Sequence, residues 1–123
     1  MIFKQLSDHV VIESPTCGTI SEILKNGEYA PLGIATAVDI KETQGHYHKT
    51  FDEIYFMLDG QITLEVYDPS TKKKTVYPIH ENELFIVTKG LHHKIIKASG
   101  KNRLCVISVP PFHQDDEHPS DVL

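Results

Sequence analysis

The chain has 123 residues, of which 17 are acidic and 12 are basic, so its formal net charge is −5 with histidine neutral. This length suits a single domain, because two separate cores of about 60 residues each would lie near the lower limit for folding alone. Apolar residues make up 40% of the sequence, which allows a buried core and excludes a disordered or fibrous chain.

The net charge and the cysteine content limit which kinds of binding partner and which cellular compartment we expect. A net charge of −5 on a small domain disfavours a broad phosphate-binding surface, so we expect no nucleic-acid partner. No apolar window approaches the roughly 18 residues of a membrane span, and residues 1–10 lack the apolar region of a secretory signal. The two cysteines, Cys17 and Cys105, cannot form a disulfide framework. We therefore predict a cytoplasmic protein without a membrane partner.

In chain order, the segments between turn signals predict an all-β protein. Residues 1–13 are unusually apolar for a terminus, and a short helical turn is predicted at Ser21–Leu24. Strands are predicted at 32–40, 51–58, 61–67, 75–79, 84–88, 92–97 and 103–109. Asp59-Gly60 predicts a hairpin that joins the second and third of these strands. Many short strands without helices indicate a β-sandwich or a small barrel, and residues 110–123 leave the strand pattern at Pro110-Pro111.

The chemistry concentrates in His46, His48 and Glu53, in a chain with eight histidines. Two residues apart on an extended strand, the two histidines project from one face, about 6–7 Å apart. Glu53 is at an odd spacing, so it has to return on the next strand to share their site. Two imidazoles and a carboxylate suit Fe, Mn, Co, Ni, Cu or Zn, and a third imidazole is available from His92 or His93. The alternative is a pair of exposed surface histidines.

This spacing resembles the first motif of the cupins. That motif reads His-x-His, three or four residues, Glu, six residues and Gly, and His46, His48, Glu53 and Gly60 match it. Ile40 stands where the motif has its upstream glycine. The resemblance covers roughly residues 32–109.

The second cupin motif is present in a degraded form. Its Gly, Pro, Gly, His and final Asn correspond here to Asn82, Thr88, Gly90, His93 and Lys97. Asn82 is a mild change, because asparagine also tolerates a positive φ angle. Thr88 and Lys97 replace no metal ligand. By the cupin spacing from Gly90, the third imidazole is that of His93, while strand alternation alone does not choose between His92 and His93.

The resemblance implies a fold, a cofactor and an oligomeric state. The fold is a double-stranded β-helix, the jelly-roll barrel of small RmlC-like cupins, in one domain over residues 1–123. The barrel spans about 32–109, residues 1–13 are a pairing strand and residues 110–123 are a tail. The implied cofactor is a divalent transition metal bound by His46, His48, Glu53 and His93. The implied assembly is a homodimer that pairs through edge strands.

The function implied by the resemblance is a small metalloenzyme, an oxygenase or a sugar-type isomerase, that acts on an oxygen-rich small molecule. Glu53 and Tyr55 are the predicted catalytic residues, since Tyr55 shares the face of Glu53 on an alternating strand and Asp52 faces away. The alternatives are a non-catalytic cupin that binds a small ligand or stores metal, and a metal-free epimerase. The presence of Glu53 disfavours the epimerase, which does not need that ligand.

The remaining predictions concern peripheral residues. His9 and His80 lie outside both motifs, and we expect them to be exposed. The tail segment from Phe112 to His118 resembles the endings of various small cupins. It either covers the mouth of the barrel or forms an acidic frayed terminus, which is the simpler interpretation.

Overall fold

Two antiparallel sheets form the protein in the computed structural model, which describes residues 1–14 and 18–123. The first sheet contains, in spatial order, β1 (Val10–Ser14), β2 (Gly18–Leu24), β3 (Gly33–Val38), β10 (Arg103–Val109), β5 (Asp52–Asp59) and β8 (Leu84–Val87). The second contains β11 (His118–Pro119), β4 (His46–Tyr47), β9 (His92–Ala98), β6 (Ile62–Asp68) and β7 (Lys73–Ile79). Short 3₁₀ turns occupy Leu6–Asp8 and Gln114–Asp116. The all-β prediction is confirmed.

The core lies between the two sheets and follows the two-residue period of the strands. On β5, Glu53, Tyr55 and Met57 are buried, whereas the residues between them are only partly buried. On β6, Ile62, Leu64 and Val66 are buried in the same alternation. Each large aliphatic side chain buried in this way contributes about 1.5–3 kcal/mol. The buried face of β5 also carries a carboxylate, so the interior holds a polar site as well as a core.

The predicted hairpin between residues 51–58 and 61–67 is wrong. β5 and β6 do follow one another through Gly60, but they belong to different sheets and do not pair with each other. The alternation of apolar and polar residues correctly predicted the buried faces of β5 and β6. These faces contact each other across the interior, and the two strands do not lie side by side in one sheet. Gly60 has a φ of +74°, and a Cβ atom there would collide with Lys101 O and Ser99 Oγ, so the crossing requires glycine.

The predicted helical turn at Ser21–Leu24 is also wrong, because this segment is part of β2. Its backbone pairs with β1 on one side and with β3 on the other. A four-residue helix cannot satisfy its own backbone groups in this way and is unstable without packing. Cys17 lies outside the described residues. Across residues 1–14 and 18–123, no helix has the length and apolar content needed to cross a membrane.

The tail is an ordered part of the second sheet. β11 pairs with β4, and the Ser120 N–H donates to the carbonyl of Gly45 at 2.9 Å. The interpretation of the segment from Phe112 to His118 as an acidic frayed terminus is therefore wrong. His80 is exposed, as predicted. His9 is half-buried, contrary to the prediction, because it is held between the first 3₁₀ turn and β1.

Candidate metal centre

Three strands and one connecting residue bring the four predicted ligands together. His46 lies on β4 and is directly paired with His93 on β9, with ring centroids 4.2 Å apart. His48 follows β4, and its ring centroid is 4.9 Å from that of His46. Glu53 approaches from β5 in the opposite sheet. The site therefore joins the two sheets.

The ligand atoms of these residues form one compact cluster. One atom from each of His46, His48, Glu53 and His93 lies within 4.8 Å of all the others. Glu53 Oε1 is 3.0 Å from His48 Nε2 and 3.3 Å from His93 Nε2. All four side chains are buried, with no more than 7% of any residue exposed. Buried charges and imidazoles at this density require a compensating proton or cation.

Backbone carbonyl groups orient all three imidazole rings. Nδ1 of His46 lies 3.2 Å from Gln44 O, Nδ1 of His93 lies 3.1 Å from Leu91 O, and Nδ1 of His48 lies 2.8 Å from Asp116 O. A carbonyl only accepts, so each Nδ1 carries a hydrogen, and each ring in its neutral form presents the Nε2 lone pair. This second interaction is the one that metal-binding histidines usually make.

A buried nitrogen atom without a hydrogen-bond partner helps to decide whether a metal ion fits the cluster. His93 Nε2 is fully buried, and its contact with Glu53 lacks hydrogen-bond geometry. Once His48 Nε2 loses the hydrogen that it donates to Glu53 Oε1 at 3.0 Å, three Nε2 lone pairs and an anionic oxygen converge. A divalent transition metal satisfies all four donors at once, and nitrogen with oxygen donors suits Fe, Mn, Co, Ni, Cu or Zn. The residues present therefore fit such an ion.

The electrostatics favour a neutral His46 and an ionised Glu53, but a protonated His48. Burial, followed by the nearby His93, lowers the pKa of His46 to about 3, so its ring is neutral at neutral pH. Burial disfavours the Glu53 carboxylate, but the imidazoles of His48 and His93 outweigh it and hold the pKa of Glu53 well below its usual range. Burial also opposes the charged form of His48, yet the hydrogen bond with Glu53 raises its pKa. Metal binding would displace a proton from the His48–Glu53 pair.

A cavity of about 400 Å³ extends from the cluster along the inner face of the first sheet. His46, Glu53 and Tyr55 line its inner end. Tyr55 is buried, and its hydroxyl donates to Glu53 Oε1 at 3.4 Å. Phe112 and Glu117 line the side formed by the tail. A small molecule in this cavity would reach both the cluster and the tyrosine hydroxyl.

No family model matches the chain, and no curated protein matches it. Solved structures do match over nearly its whole length. A protein from Planctomyces limnophilus superposes with a TM-score of 0.78 and 22% identity, covering 96% of each chain. Oxalate decarboxylase from Bacillus subtilis gives 0.79 and 17%, covering 95% of this chain and 31% of that one. Streptomyces Pac13, a nucleoside dehydratase, gives 0.75 and 11% in a variant with uridine, covering 98% and 90%.

The chain has a cupin fold. The resemblance seen in the two sequence motifs is thereby confirmed at the level of the fold. The degraded second motif also keeps its backbone conformation. Asn82 has a φ of +65° and Gly90 a φ of +86°, so asparagine takes the conformation expected of the cupin glycine.

The two adjacent histidines on β9 point in different directions. His93 points into the cluster, whereas His92 stacks on Tyr47, with centroids 4.3 Å apart and planes at 10°. His92 Nδ1 also lies 2.7 Å from Ser120 Oγ. His92 is thus buried by the tail and belongs to the contact between the tail and the second sheet.

Two acidic residues of the tail were missed by the sequence analysis. The Asp116 carboxylate accepts hydrogen bonds from the Lys49 and Thr50 N–H groups at 2.9 and 2.8 Å, and its carbonyl accepts from His48. Glu117 Oε1 lies 3.7 Å from His46 Nε2. The only signal for them was the acidic run after Phe112, which composition alone does not distinguish from a solvated terminus.

Proposed function

We propose that this cupin is a metal-dependent enzyme that acts on an oxygen-bearing small molecule, with a divalent transition metal bound by His46, His48, Glu53 and His93. One observation carries the proposal: the four oriented donor atoms converge at the inner end of a cavity of about 400 Å³. A structural metal site is closed by protein on all sides, whereas a catalytic site keeps access for a substrate.

When bound, such an ion supplies Lewis-acid polarisation of an oxygen ligand or a site for dioxygen at positions that the four protein donors leave free. The chain's own residues orient the ligands and shield the site from water. The carbonyl groups of Gln44, Leu91 and Asp116 hold the three rings in one tautomer. The Phe51 ring stacks on His48 at 4.2 Å, and that of Phe112 contacts Phe51 edge-on at 5.6 Å, so apolar rings keep water from this side.

Tyr55 is the proposed proton-carrying group. Its hydroxyl faces the cavity side of Glu53 and is within reach of a molecule bound there. A tyrosine hydroxyl donates or accepts a proton when a neighbouring carboxylate is fixed beside it. This arrangement favours isomerisation of a hydroxycarbonyl compound by proton transfer. The donor set equally suits oxygenase chemistry, so oxygenase activity is the second candidate.

The similar structures support a small-molecule partner. Pac13 is described as a nucleoside dehydratase and was solved with uridine, and the Bacillus protein is an oxalate decarboxylase. Both place a small-molecule function on a fold that superposes on this chain. Because one fold hosts many reactions, the reaction itself is proposed from the site and not from these names.

Metal content and turnover test the proposal in sequence. Protein purified without an affinity tag is analysed for metals, before and after reloading with Fe, Mn, Ni or Zn. We expect close to one equivalent per chain, and less than about a tenth of an equivalent after reloading would refute the metal site. The loaded protein is then screened for oxygen consumption with phenols and diketones, and by NMR for isomerisation of sugars.

The variants Tyr55→Phe and His93→Ala separate the roles in this screen. Tyr55→Phe should keep the metal and lose most of the turnover, and His93→Ala should lose both. Stoichiometric metal without turnover of any compound would instead favour the non-catalytic ligand-binding alternative.

We also propose that two copies pair through the N-terminal segment, residues 1–13. Phe3, Leu6 and Val11 are exposed at 74%, 83% and 65%, and β1 forms an edge of the first sheet. An apolar edge strand is a ready surface for pairing with a second chain. Deleting residues 1–12 should convert a dimer into monomer or aggregate in light scattering. A deletion variant that stays a soluble dimer would contradict this proposal.

A further inference from the structure

The inner end of the cavity carries two carboxylates on opposite sides. Glu53 belongs to the donor cluster and comes from β5, whereas Glu117 comes from the tail and places Oε1 3.7 Å from His46 Nε2. Both line the cavity. Any molecule that reaches the cluster therefore passes close to Glu117.

The charge of a bound metal ion does not make the inner end of the cavity a binding site for anions. A divalent ion carries two positive charges, and its own charge has to be included in the electrostatics of the site. The carboxylates of Glu53 and Glu117 together offset it, so the occupied inner end is close to neutral. A dicarboxylate or a phosphate entering there would gain little attraction and would lie against the Glu117 carboxylate.

The lining also holds a third carboxylate. Glu22 on β2 faces inward, whereas Glu13 on β1 faces outward and accepts a hydrogen bond from Thr19 Oγ1 at 3.0 Å. Among the described residues that line the cavity, Lys25 is the only lysine or arginine. Its backbone N–H donates to Glu28 Oε1 at 3.0 Å, which keeps another acid beside it. Sites that bind phosphate or carboxylate groups normally supply arginine, lysine or helix N-termini, and this lining offers a single lysine.

The first sheet also gives the cavity an apolar wall. Its inner-face side chains include Ile20, Ala35, Ala37 and Val106, and the tail contributes Phe112. Ligand cavities of about 300–1,000 Å³ with such walls bury most of a small molecule and use a few polar groups to orient it. The cluster and Tyr55 place polar groups at the inner end of the cavity, and Glu22, Lys25 and Asn26 add polar groups elsewhere in the lining.

From these features we infer that the substrate is an uncharged, amphipathic small molecule. Its hydroxyl or carbonyl head lies at the cluster and its apolar body lies along the first sheet. Glu117 is the residue that selects against carboxylates and phosphates. This inference rests on the proposed metal-dependent function and narrows its substrate class.

Oxalate is the probe for charge selection, because it is a small dianion that chelates divalent metals. The full-length protein is loaded with Mn²⁺, and loading is first confirmed by electron paramagnetic resonance. Oxalate is then titrated into the wild type, Glu117→Gln, Glu22→Gln and the control Glu42→Gln, in which an exposed acid outside the cavity is changed. We expect Glu117→Gln to bind oxalate at least tenfold more tightly than the wild type and Glu22→Gln at least twofold more tightly. Glu42→Gln should stay within twofold of the wild type.

Two hydroxamic acids of different length probe the apolar body. Both are uncharged in neutral solution and present the same oxygen donors, so they differ only in their alkyl chains. Hexanohydroxamic acid should bind the Mn²⁺-loaded protein at least tenfold more tightly than acetohydroxamic acid. Ile20→Thr in the wall should reduce this ratio, whereas Val76→Thr, at a residue 50% exposed on β7, should not.

The outcomes separate the two proposals. A protein that takes up no Mn²⁺ refutes the proposed metal site. Normal Mn²⁺ loading with oxalate affinity unchanged in Glu117→Gln overturns the charge selection and leaves the metal site standing. Equal affinity for the two hydroxamic acids overturns the inference that the substrate has an apolar body along the first sheet.

Discussion

Replacing Asp116 tests how far the tail supports the metal centre. The carboxylate accepts hydrogen bonds from Lys49 N, Thr50 N and Thr50 Oγ1 at 2.9, 2.8 and 2.5 Å, and from His118 Nε2 at 2.9 Å. Asp116 is only 9% exposed. Its carbonyl accepts from Nδ1 of His48, so a shift of this residue also moves a proposed ligand.

The expected loss follows from these contacts. Hydrogen bonds to a charged group contribute about 1.5–3 kcal/mol each, and a buried N–H left unpaired costs about 1–3 kcal/mol. Since these bonds share one acceptor and are not additive, we expect Asp116→Ala to lower the free energy of unfolding by about 3 kcal/mol. Asp116→Asn keeps one acceptor oxygen and should lose about half of that. Mn²⁺ affinity should fall tenfold or more in Asp116→Ala, the effect typical of losing an outer partner of a metal ligand.

The pH dependence supplies a second readout. Burial disfavours the Asp116 carboxylate, but the Thr50 hydroxyl and the Lys49 and Thr50 N–H groups outweigh it and hold its pKa well below the usual range. The folded state therefore binds this proton less readily than the unfolded state does. The contribution of Asp116 is complete above its unfolded pKa of about 4 and is lost as the pH falls below it. The stability gap between wild type and Asp116→Asn should narrow in that direction.

Urea unfolding of wild type, Asp116→Ala and Asp116→Asn between pH 7 and pH 2.5 measures both effects, and calorimetry with Mn²⁺ measures affinity at pH 7. Asp115→Asn, an exposed neighbour, is the matched control. A loss below about 0.5 kcal/mol in Asp116→Ala, the range of ordinary surface substitutions, would refute the argument that the tail supports the site.

Three further predictions concern the ligands and the crossing between the sheets. His93→Ala should lower Mn²⁺ or Ni²⁺ affinity at least tenfold in calorimetry, whereas His92→Ala should change it little and instead destabilise the tail; the reverse order would show that the register of β9 is off by one. Chelation should lower the melting temperature of the metal-loaded protein, because an ion at about 100 times its dissociation constant adds roughly 2.7 kcal/mol; an unchanged melting temperature would contradict metal binding by the folded state. Gly60→Ala should cost more than the roughly 1–2 kcal/mol of placing a non-glycine residue in the left-handed region, because its Cβ atom also meets Lys101 O and Ser99 Oγ. Gly100→Ala, with nothing within 4 Å of its Cβ position, is the control in the same thermal-unfolding assay.

Most strand segments of the barrel and their inner faces could be predicted because they depend on local alternation, whereas β2 was predicted as a helical turn. Ile62, Leu64 and Val66 alternate with polar residues, and the structure buries all three. Strand partners depend on the whole chain. Alternation gives the same pattern for a hairpin and for two strands that face each other across a core, so the partner of β5 was missed.

The four clustered residues carried a motif signal, whereas their supporting residues carried none. His46, His48 and Glu53 stand close together in the sequence with a recognisable spacing. The orienting partner of His48 is the carbonyl of Asp116, 68 residues away, and a backbone carbonyl leaves no trace in residue type. The cavity wall formed by Glu117 was likewise invisible, because an acidic run looks the same whether it is folded against a site or solvated.

The division of the donors between the two sheets has a consequence for how the protein matures. Glu53 lies in the first sheet, and the three histidines lie in or beside strands of the second. His46 and His48 are close together in any conformation of the chain. A nascent or unfolded polypeptide therefore binds an ion only weakly, through these two imidazoles. The complete coordination set exists only after the sheets have docked, and it brings His46 next to a residue 47 positions away. Capture of the proposed ion would therefore be a late event in folding, and its release would require the same long-range contacts to open.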